Sequence, residues 1–217
     1  MKKLFMTGVI LLAFSVSASA GLLDRGVAYE DLALLSEEAL NSLKETEFAV
    51  FLAEVKHAAA RVEEEQAEKA LKKAKERLNR EKLNVKAAKA EIEAAKAKQE
   101  KDRLEKAEGD MQSAQEGLKT AEMLVKWKEK EVDVRETRVK QGKLSLAAIE
   151  IKRDLARLSQ LAAEKKLAAR KYSQPDFEKK LRKLQEDMKK AVEKGKRERM
   201  EADKLRARYE KAAGEKK

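Results

Sequence analysis

The sequence predicts an all-α protein, elongated as an antiparallel helical hairpin or coiled coil. Charged residues make up 42% of the 217 residues and aromatic residues only 4%, which is too polar for an ordinary compact domain. Leu, Ile, Val and Ala nevertheless recur at regular spacing, which is not typical of a disordered chain. The single proline, Pro175, is consistent with long uninterrupted helices.

The first twenty residues differ from the rest of the chain. Lys2 and Lys3 precede an apolar run, Leu4 to Val16, and Ala18 and Ala20 provide the small residues of a cleavage site. This pattern predicts a signal peptide over residues 1–20, cleaved after Ala20, and therefore an exported, periplasmic chain. A membrane anchor is the weaker alternative, because the apolar run is shorter than the roughly 20 residues of a spanning helix. Removing the signal peptide, which carries Lys2 and Lys3, lowers the net charge from +11 to +9.

The segment 21–56 is predicted to form short amphipathic helices. It is acidic, since residues 21–66 hold eleven acidic and four basic side chains, a net charge of −7. It is also the most apolar part of the mature chain. These apolar residues predict a cap or an oligomer base: Leu32, Leu35, Leu40, Leu43, Phe48, Phe51 and Leu52.

Heptad repeats predict long coiled-coil helices over residues 57–172, because a seven-residue spacing keeps one apolar stripe facing a partner helix. The first run consists of Leu71, Leu78, Val85 and Ile92. The second consists of Leu104, Met111, Leu118, Val125, Val132, Val139 and Leu146. The two runs are out of phase, and the slip lies between Ile92 and Leu104. The second seam position of the later run changes from alanine to Lys128, Arg135 and Gly142.

The chain is expected to fold back on itself. One helix from 47 to 171 would be about 190 Å long and would bury nothing. The sequence predicts a turn near Gly142, with Ser145 as the N-cap of the next helix, and leaves Gly109–Asp110 as the alternative. Ser173 and Pro175 predict the start of a basic C-terminal helix over residues 173–217.

Residues 138–153, RVKQGKLSLAAIEIKR, are similar to the helix-turn-helix tip of the TolC family of outer-membrane efflux ducts. Arg138, Gly142, Ser145, Glu150 and Arg153 occupy the positions of that tip. In the family the tip joins two antiparallel periplasmic helices and meets an adaptor protein. The resemblance therefore implies a partner-binding tip at Arg138, Gly142, Ser145 and Arg153. It covers about thirty residues.

The chain has no alternating strand pattern for the barrel of such ducts and about half their length, so a detached hairpin is expected and not a channel. A second likeness is to the Skp family of periplasmic holdase chaperones, which have helical tentacles. It rests on small size, basic charge, export and coiled-coil composition, and on no motif.

No catalytic, cofactor-binding or metal site is predicted. His57 is the only histidine and there is no cysteine, so the usual metal ligands are scarce. Export and the alternation of Lys and Arg with Glu argue against nucleic acid as a partner. The basic C-terminal segment is interpreted as an electrostatic partner surface for anionic lipid head groups, lipopolysaccharide, acidic unfolded clients or the acidic N-terminal segment itself.

The sequence therefore predicts an exported, non-enzymatic coiled-coil scaffold or adaptor that binds cell-envelope proteins, with homo-oligomers possible. The alternatives are a Skp-like holdase for unfolded outer-membrane proteins and a membrane-surface or envelope spacer protein.

Overall fold

The computed structural model describes residues 26–214, and the predicted signal peptide and its cleavage site at Ala18 and Ala20 lie outside them. Within this range the chain forms four α-helices, α1 (Tyr29–Leu32), α2 (Glu37–Lys98), α3 (Lys101–Ala163) and α4 (Gln174–Gly214), with a 3₁₀ turn at Leu167–Lys171 before α4. The described residues contain no strand. The protein is thus an all-α helical hairpin, as predicted.

Helices α2 and α3 are antiparallel and pack along their whole length, and α4 returns along the other side of α3. At 1.5 Å per residue, α2 and α3 are each about 95 Å long. Tyr209, near the end of α4, stacks on Trp127 of α3. The α2–α3 hairpin extends about 40 Å beyond that level, from Trp127 to the reversal of the chain.

The chain reverses at Gln99 and Glu100, so the predictions of a turn at Gly142 or at Gly109–Asp110 are wrong. Gln99 adopts the left-handed conformation (φ 57°, ψ 30°). The N–H of Glu100 donates to the carbonyl of Ala95 over 3.1 Å, and that of Gln99 to Lys96 over 3.2 Å. This is the hydrogen-bond pattern of a Schellman motif, which usually has glycine at the left-handed position.

Both glycines lie inside the continuous helix α3. A glycine in a helix interior costs about 1 kcal/mol relative to alanine, and this cost does not interrupt α3. The predicted boundary at residue 56 is also not a break, because α2 runs through it. The predicted helix start at residue 173 agrees closely with the start of α4 at Gln174.

The seam between α2 and α3 is built mostly from small residues. The buried residues of α2 include Ala53, Ala60, Ala67, Ala74 and Ala95. Those of α3 include Ala107, Ala121, Val125 and Val132, all members of the predicted heptads. Alanine seams allow the helices to approach closely but bury little apolar area each, so this hairpin depends on its length.

The larger apolar core lies at the end opposite the reversal, which we call the base. Leu32, Leu35 and Leu43 pack there with Leu158 and Leu161 of α3. Ser36 caps α2 by accepting a hydrogen bond from the N–H of Ala39, and its own N–H and hydroxyl donate to Glu164. The leucines 32, 35 and 43 thus form the predicted cap, whereas Leu40, Phe48, Phe51 and Leu52 stay exposed.

Candidate functional site

A groove of about 580 Å³ opens between α3 and α4. Its α3 wall consists of Trp127, Glu131, Val134, Arg135, Arg138 and Gln141. Its α4 wall consists of Val192, Gly195, Lys196, Arg199, Ala202, Asp203 and Arg206. Five cationic side chains therefore line the groove against two acidic ones.

The two walls are held together at one end by a close helix contact. A side-chain Cβ at position 195 would lie 2.8 Å from Nε2 of Gln141 and 3.3 Å from Cγ2 of Thr137, so glycine lets α4 approach α3. The Nε2 group of Gln141 donates to the carbonyl of Ala191 over 2.9 Å. Ala191 and Gly195 are small, so α4 lies close to α3 at this point and the groove is narrow there.

Trp127 forms the opposite end of the groove. Its indole stacks on Tyr209, with ring centroids 5.5 Å apart and planes inclined by 29°. The Nζ of Lys128 lies 3.9 Å from the indole centroid and the guanidinium carbon of Arg206 5.8 Å from it. An indole face attracts cations, so the Trp127 ring holds both positive groups beside the groove.

The arginines of the α3 wall are only partly neutralised. Arg135 and Arg138 each donate to the same Oε2 oxygen of Glu63 over 2.6 Å. One carboxylate therefore faces two guanidinium groups, and a unit positive charge remains at this point. Arg138 is also 56% exposed, so part of its donor fork remains accessible to a further acceptor.

The α4 wall adds a free cation. Among the described residues, Arg199 has no acidic group within ion-pair distance. Lys196 and Arg206 pair with Glu193 and Glu210 over 3.0 Å and 2.8 Å. Guanidinium groups bind carboxylates through two parallel hydrogen bonds. The arrangement is thus suited to an acidic ligand that presents carboxylates at intervals along the groove.

The four residues predicted to form a tip do not lie at a turn. Arg138, Gly142, Ser145 and Arg153 are all inside α3, and Gly142 is about 63 Å from the reversal at Gln99 by the helical rise. Arg138 lines the groove, while Arg153 donates to Asp154 over 3.2 Å. Ser145 cannot act as an N-cap, since the helix continues on both sides of it.

Gly142 is instead a point of close contact between α2 and α3. A Cβ at this position would lie 3.1 Å from Nδ1 of His57 and 3.4 Å from its Cα. Nδ1 of His57 is buried and has no hydrogen-bond partner among the described residues. The described part of the chain brings no three potential metal ligands together.

The sequence carries a sign of the α3 wall of the groove but does not identify the groove itself. Along α3 the second seam position of the heptads changes from alanine to Lys128 and Arg135. In the structure these positions lie where α3 is flanked by both α2 and α4. Trp127 packs on Tyr209. Arg199 lies within a basic stretch in which no single residue stands out.

Within residues 26–214, no helix combines the length and the hydropathy needed to cross a bilayer. No protein-family model, curated protein or solved structure matches the chain.

Proposed function

We propose that this protein is an exported, non-enzymatic scaffold or adaptor that binds an acidic segment of a cell-envelope protein in the α3–α4 groove. The observation that carries the proposal is the sharing of Glu63 by Arg135 and Arg138, together with the unpaired Arg199 across the groove. These groups leave excess positive charge in a cleft that is partly open to solvent.

The shape of the groove favours a macromolecular ligand. Residues 127–141 of the α3 wall span about 21 Å along the helix axis, which is the length of six extended residues or of a four-turn helix. Trp127 at one end offers an aromatic surface for an apolar side chain of the same ligand. The segment that fits the groove best therefore carries acidic residues at alternating positions and one apolar residue.

The length of the hairpin supports the scaffold role. Helices α2 and α3 form a rod about 95 Å long, and their packing keeps the groove and the reversal at Gln99 far apart. A rigid rod with a binding surface at one level can fix the distance between two envelope components. Export enters this proposal through the predicted signal peptide at residues 1–20.

The proposal is tested by charge reversal in the groove. Arg138→Glu combined with Arg199→Glu should weaken binding of an Asp- and Glu-rich peptide at least tenfold, because two attractive contacts become repulsive. The matched control is Arg80→Glu, an exposed α2 residue that lies outside the groove. It should leave peptide affinity within about twofold of the unmodified protein. Fluorescence anisotropy at two salt concentrations provides the readout, since groove binding should weaken as salt rises.

A photo-reactive residue at position 199, compared with one at position 80, then identifies the partner in cells. Cross-linking of one discrete folded envelope protein at position 199 alone supports the scaffold. Suppression of aggregation of an unfolded outer-membrane protein, with no discrete cross-link, would instead support the holdase. A spacer at a membrane surface would be supported if the protein bound anionic vesicles and the groove variant and Arg80→Glu weakened this binding equally.

A further inference from the structure

We propose that the protein forms an antiparallel dimer through the outer face of α2, independently of what the α3–α4 groove binds. Six large apolar side chains of this face are 41–59% exposed, which is unusual for residues of this type: Leu40, Phe48, Phe51, Leu52, Val55 and Val62. We call them the outer stripe.

The outer stripe is a continuous surface and not a set of scattered residues. Successive members are separated by eight, three, one, three and seven positions, so at 100° per residue all six side chains fall within about a third of the helix circumference. The rings of Phe48 and Phe51 stack with centroids 6.2 Å apart. The stripe points away from α3, because the α2 residues that face α3 are Val50, Ala53 and Ala60.

The exposed area is large enough for an interface between two copies. A phenylalanine side chain carries roughly 150–250 Å², so Phe48 and Phe51, 59% and 56% exposed, together expose about 200 Å². The stripe from Leu40 to Val62 is about 33 Å long. Pairing it with an identical stripe approaches the roughly 1,000 Å² that a specific interface buries.

The charges beside the stripe indicate which occupant fits. Glu45 and Lys56 are exposed and have no ion pair among the described residues. They are eleven residues apart, about three helical turns, and therefore lie along the same edge of the stripe. When a second copy is rotated by 180°, its base lies opposite the acid of the first copy and its acid lies opposite the base.

The two ends of the stripe and the two charges have midpoints within half a residue of each other. The midpoint between Leu40 and Val62 is residue 51, and the midpoint between Glu45 and Lys56 falls between residues 50 and 51. An antiparallel partner centred there brings Glu45 level with Lys56 of the second copy, and Lys56 level with the second Glu45. A two-fold axis generates both ion pairs at once.

A parallel arrangement gives no such match, because Glu45 and Lys56 are about 16 Å apart along the axis. Lys44 also lies on this face, and its aliphatic stem can cover apolar surface while its ammonium group reaches the rim. In the antiparallel dimer the two reversals at Gln99 point in opposite directions. The dimer is then a rod about 145 Å long between the two tips.

The first test is the molecular mass in solution as a function of concentration. We expect a reversible dimer, and Phe51→Glu should weaken the association at least about 30-fold, because each central aromatic residue is used twice. The matched control is Leu83→Glu, a change at an α2 residue that is 62% exposed but outside the stripe. It should leave the dissociation constant within about twofold of the unmodified protein.

A charge swap tests the self-complementary edge without changing the apolar contacts. Glu45→Lys places two bases together at both symmetric positions and should weaken the dimer about threefold to tenfold. Adding Lys56→Glu to it restores both pairs with reversed polarity, and the affinity should return to within about twofold. Circular dichroism of each variant checks that the helices are intact.

Cross-linking tests the orientation, since the chain has no cysteine. A mixture of chains carrying Glu45→Cys and chains carrying Lys56→Cys should give a cross-linked heterodimer with a short bifunctional reagent. Glu45→Cys chains alone should give almost none. Strong cross-linking of Glu45→Cys chains to each other would show a parallel pair and overturn the proposal.

Three further outcomes would also overturn it. The first is a protein that is monomeric up to about 100 μM, and the second is a dimer that Phe51→Glu does not weaken. If the protein is monomeric and Phe51→Glu lowers its melting temperature, the stripe is instead covered by another segment of the same chain. The third is binding to anionic vesicles that Phe51→Glu abolishes, which would assign the stripe to a membrane surface.

Discussion

Gln99 shows how a single residue sets the length of the hairpin. It occupies the left-handed conformation that ends α2, and a residue with a Cβ pays about 1–2 kcal/mol for this conformation. Beside the reversal, Arg103 donates to Glu91 over 2.6 Å and to Glu100 over 3.0 Å. The hydrogen bond to Glu91 joins α3 to α2 across the reversal and lowers the pKa of that carboxyl group.

Gln99→Gly should therefore stabilise the protein by about 1 kcal/mol, because glycine enters the left-handed conformation without a steric cost. Gln99→Val should destabilise it, because a β-branched side chain is least tolerated there. Urea denaturation followed by circular dichroism measures both. An unchanged midpoint for the glycine variant would mean that the chain does not reverse at this residue.

Gly142 and Gly109 provide a matched pair within the same helix. A Cβ at position 109 meets no atom within 4 Å, whereas one at position 142 lies 3.1 Å from Nδ1 of His57. Gly109→Ala should stabilise by about 1 kcal/mol through helix propensity alone. Gly142→Ala should destabilise by about 1 kcal/mol, because overpacking costs about 1–3 kcal/mol and outweighs that gain. Equal stabilisation by both changes in the same denaturation experiment would rule out the close contact with His57.

At the scale of elements, the base is held by polar contacts between segments far apart in sequence. The buried Arg157 of α3 donates to Glu47 of α2 over 2.6 Å and to the carbonyl of Val27 over 3.3 Å. Asp31 accepts hydrogen bonds from Lys171 and from the hydroxyl of Tyr172. These contacts attach the short N-terminal segment and the connection before α4 to the same end of the hairpin.

The pH dependence of stability should reflect the base. Hydrogen bonds from Lys171, and then from Tyr172, lower the pKa of Asp31, whose usual value is 3.8. A carboxyl group with a lowered pKa stabilises the fold above its unfolded-state pKa, and this contribution is lost as the pH falls through the folded-state value. Asp31→Asn should therefore reduce the melting temperature at pH 7.

The same substitution should also make the melting temperature fall less steeply below pH 4, because the titrating group has been removed. Glu38→Gln is the matched control, since Glu38 is exposed and forms no ion pair among the described residues. Calorimetry between pH 7 and pH 2.5 gives both profiles. Identical profiles for the Asp31 variant and the unmodified protein would contradict the role of the base contacts.

The heptad pattern made the helices and much of their buried seam predictable, because a seven-residue spacing directly encodes which face is covered. The reversal was also marked by a sequence signal, the phase slip between Ile92 and Leu104, and Gln99 lies inside it. The position was nevertheless assigned to glycines, since glycine is the commonest residue in the left-handed conformation. The groove was not predictable, because it depends on which face of α3 receives α4, and α4 follows an irregular connection.

At the scale of the whole molecule, export is the first prediction to test, because the proposed envelope partners require it. The mature chain should begin at Gly21, since Ala18 and Ala20 fit the small-residue positions of a cleavage site. Ala18→Arg should block processing and accumulate the precursor, while Ala13→Leu, in the apolar run, should not. N-terminal sequencing of the periplasmic fraction gives the result, and an intact Met1 in the membrane fraction would indicate an anchor.

The last prediction concerns distances within and between the long helices. Spin labels at Lys82→Cys and Glu116→Cys should lie within roughly 20 Å of each other, because a reversal at Gln99 places them level on neighbouring helices 8–10 Å apart. On one continuous helix the same positions would be about 51 Å apart. Labels at Lys130→Cys and Lys152→Cys should lie about 33 Å apart, since α3 runs unbroken through Gly142. Pulsed electron paramagnetic resonance measures both pairs, and the native absence of cysteine leaves no competing label site. A long first distance with a short second one would move the reversal to Gly142 and would separate the walls of the groove.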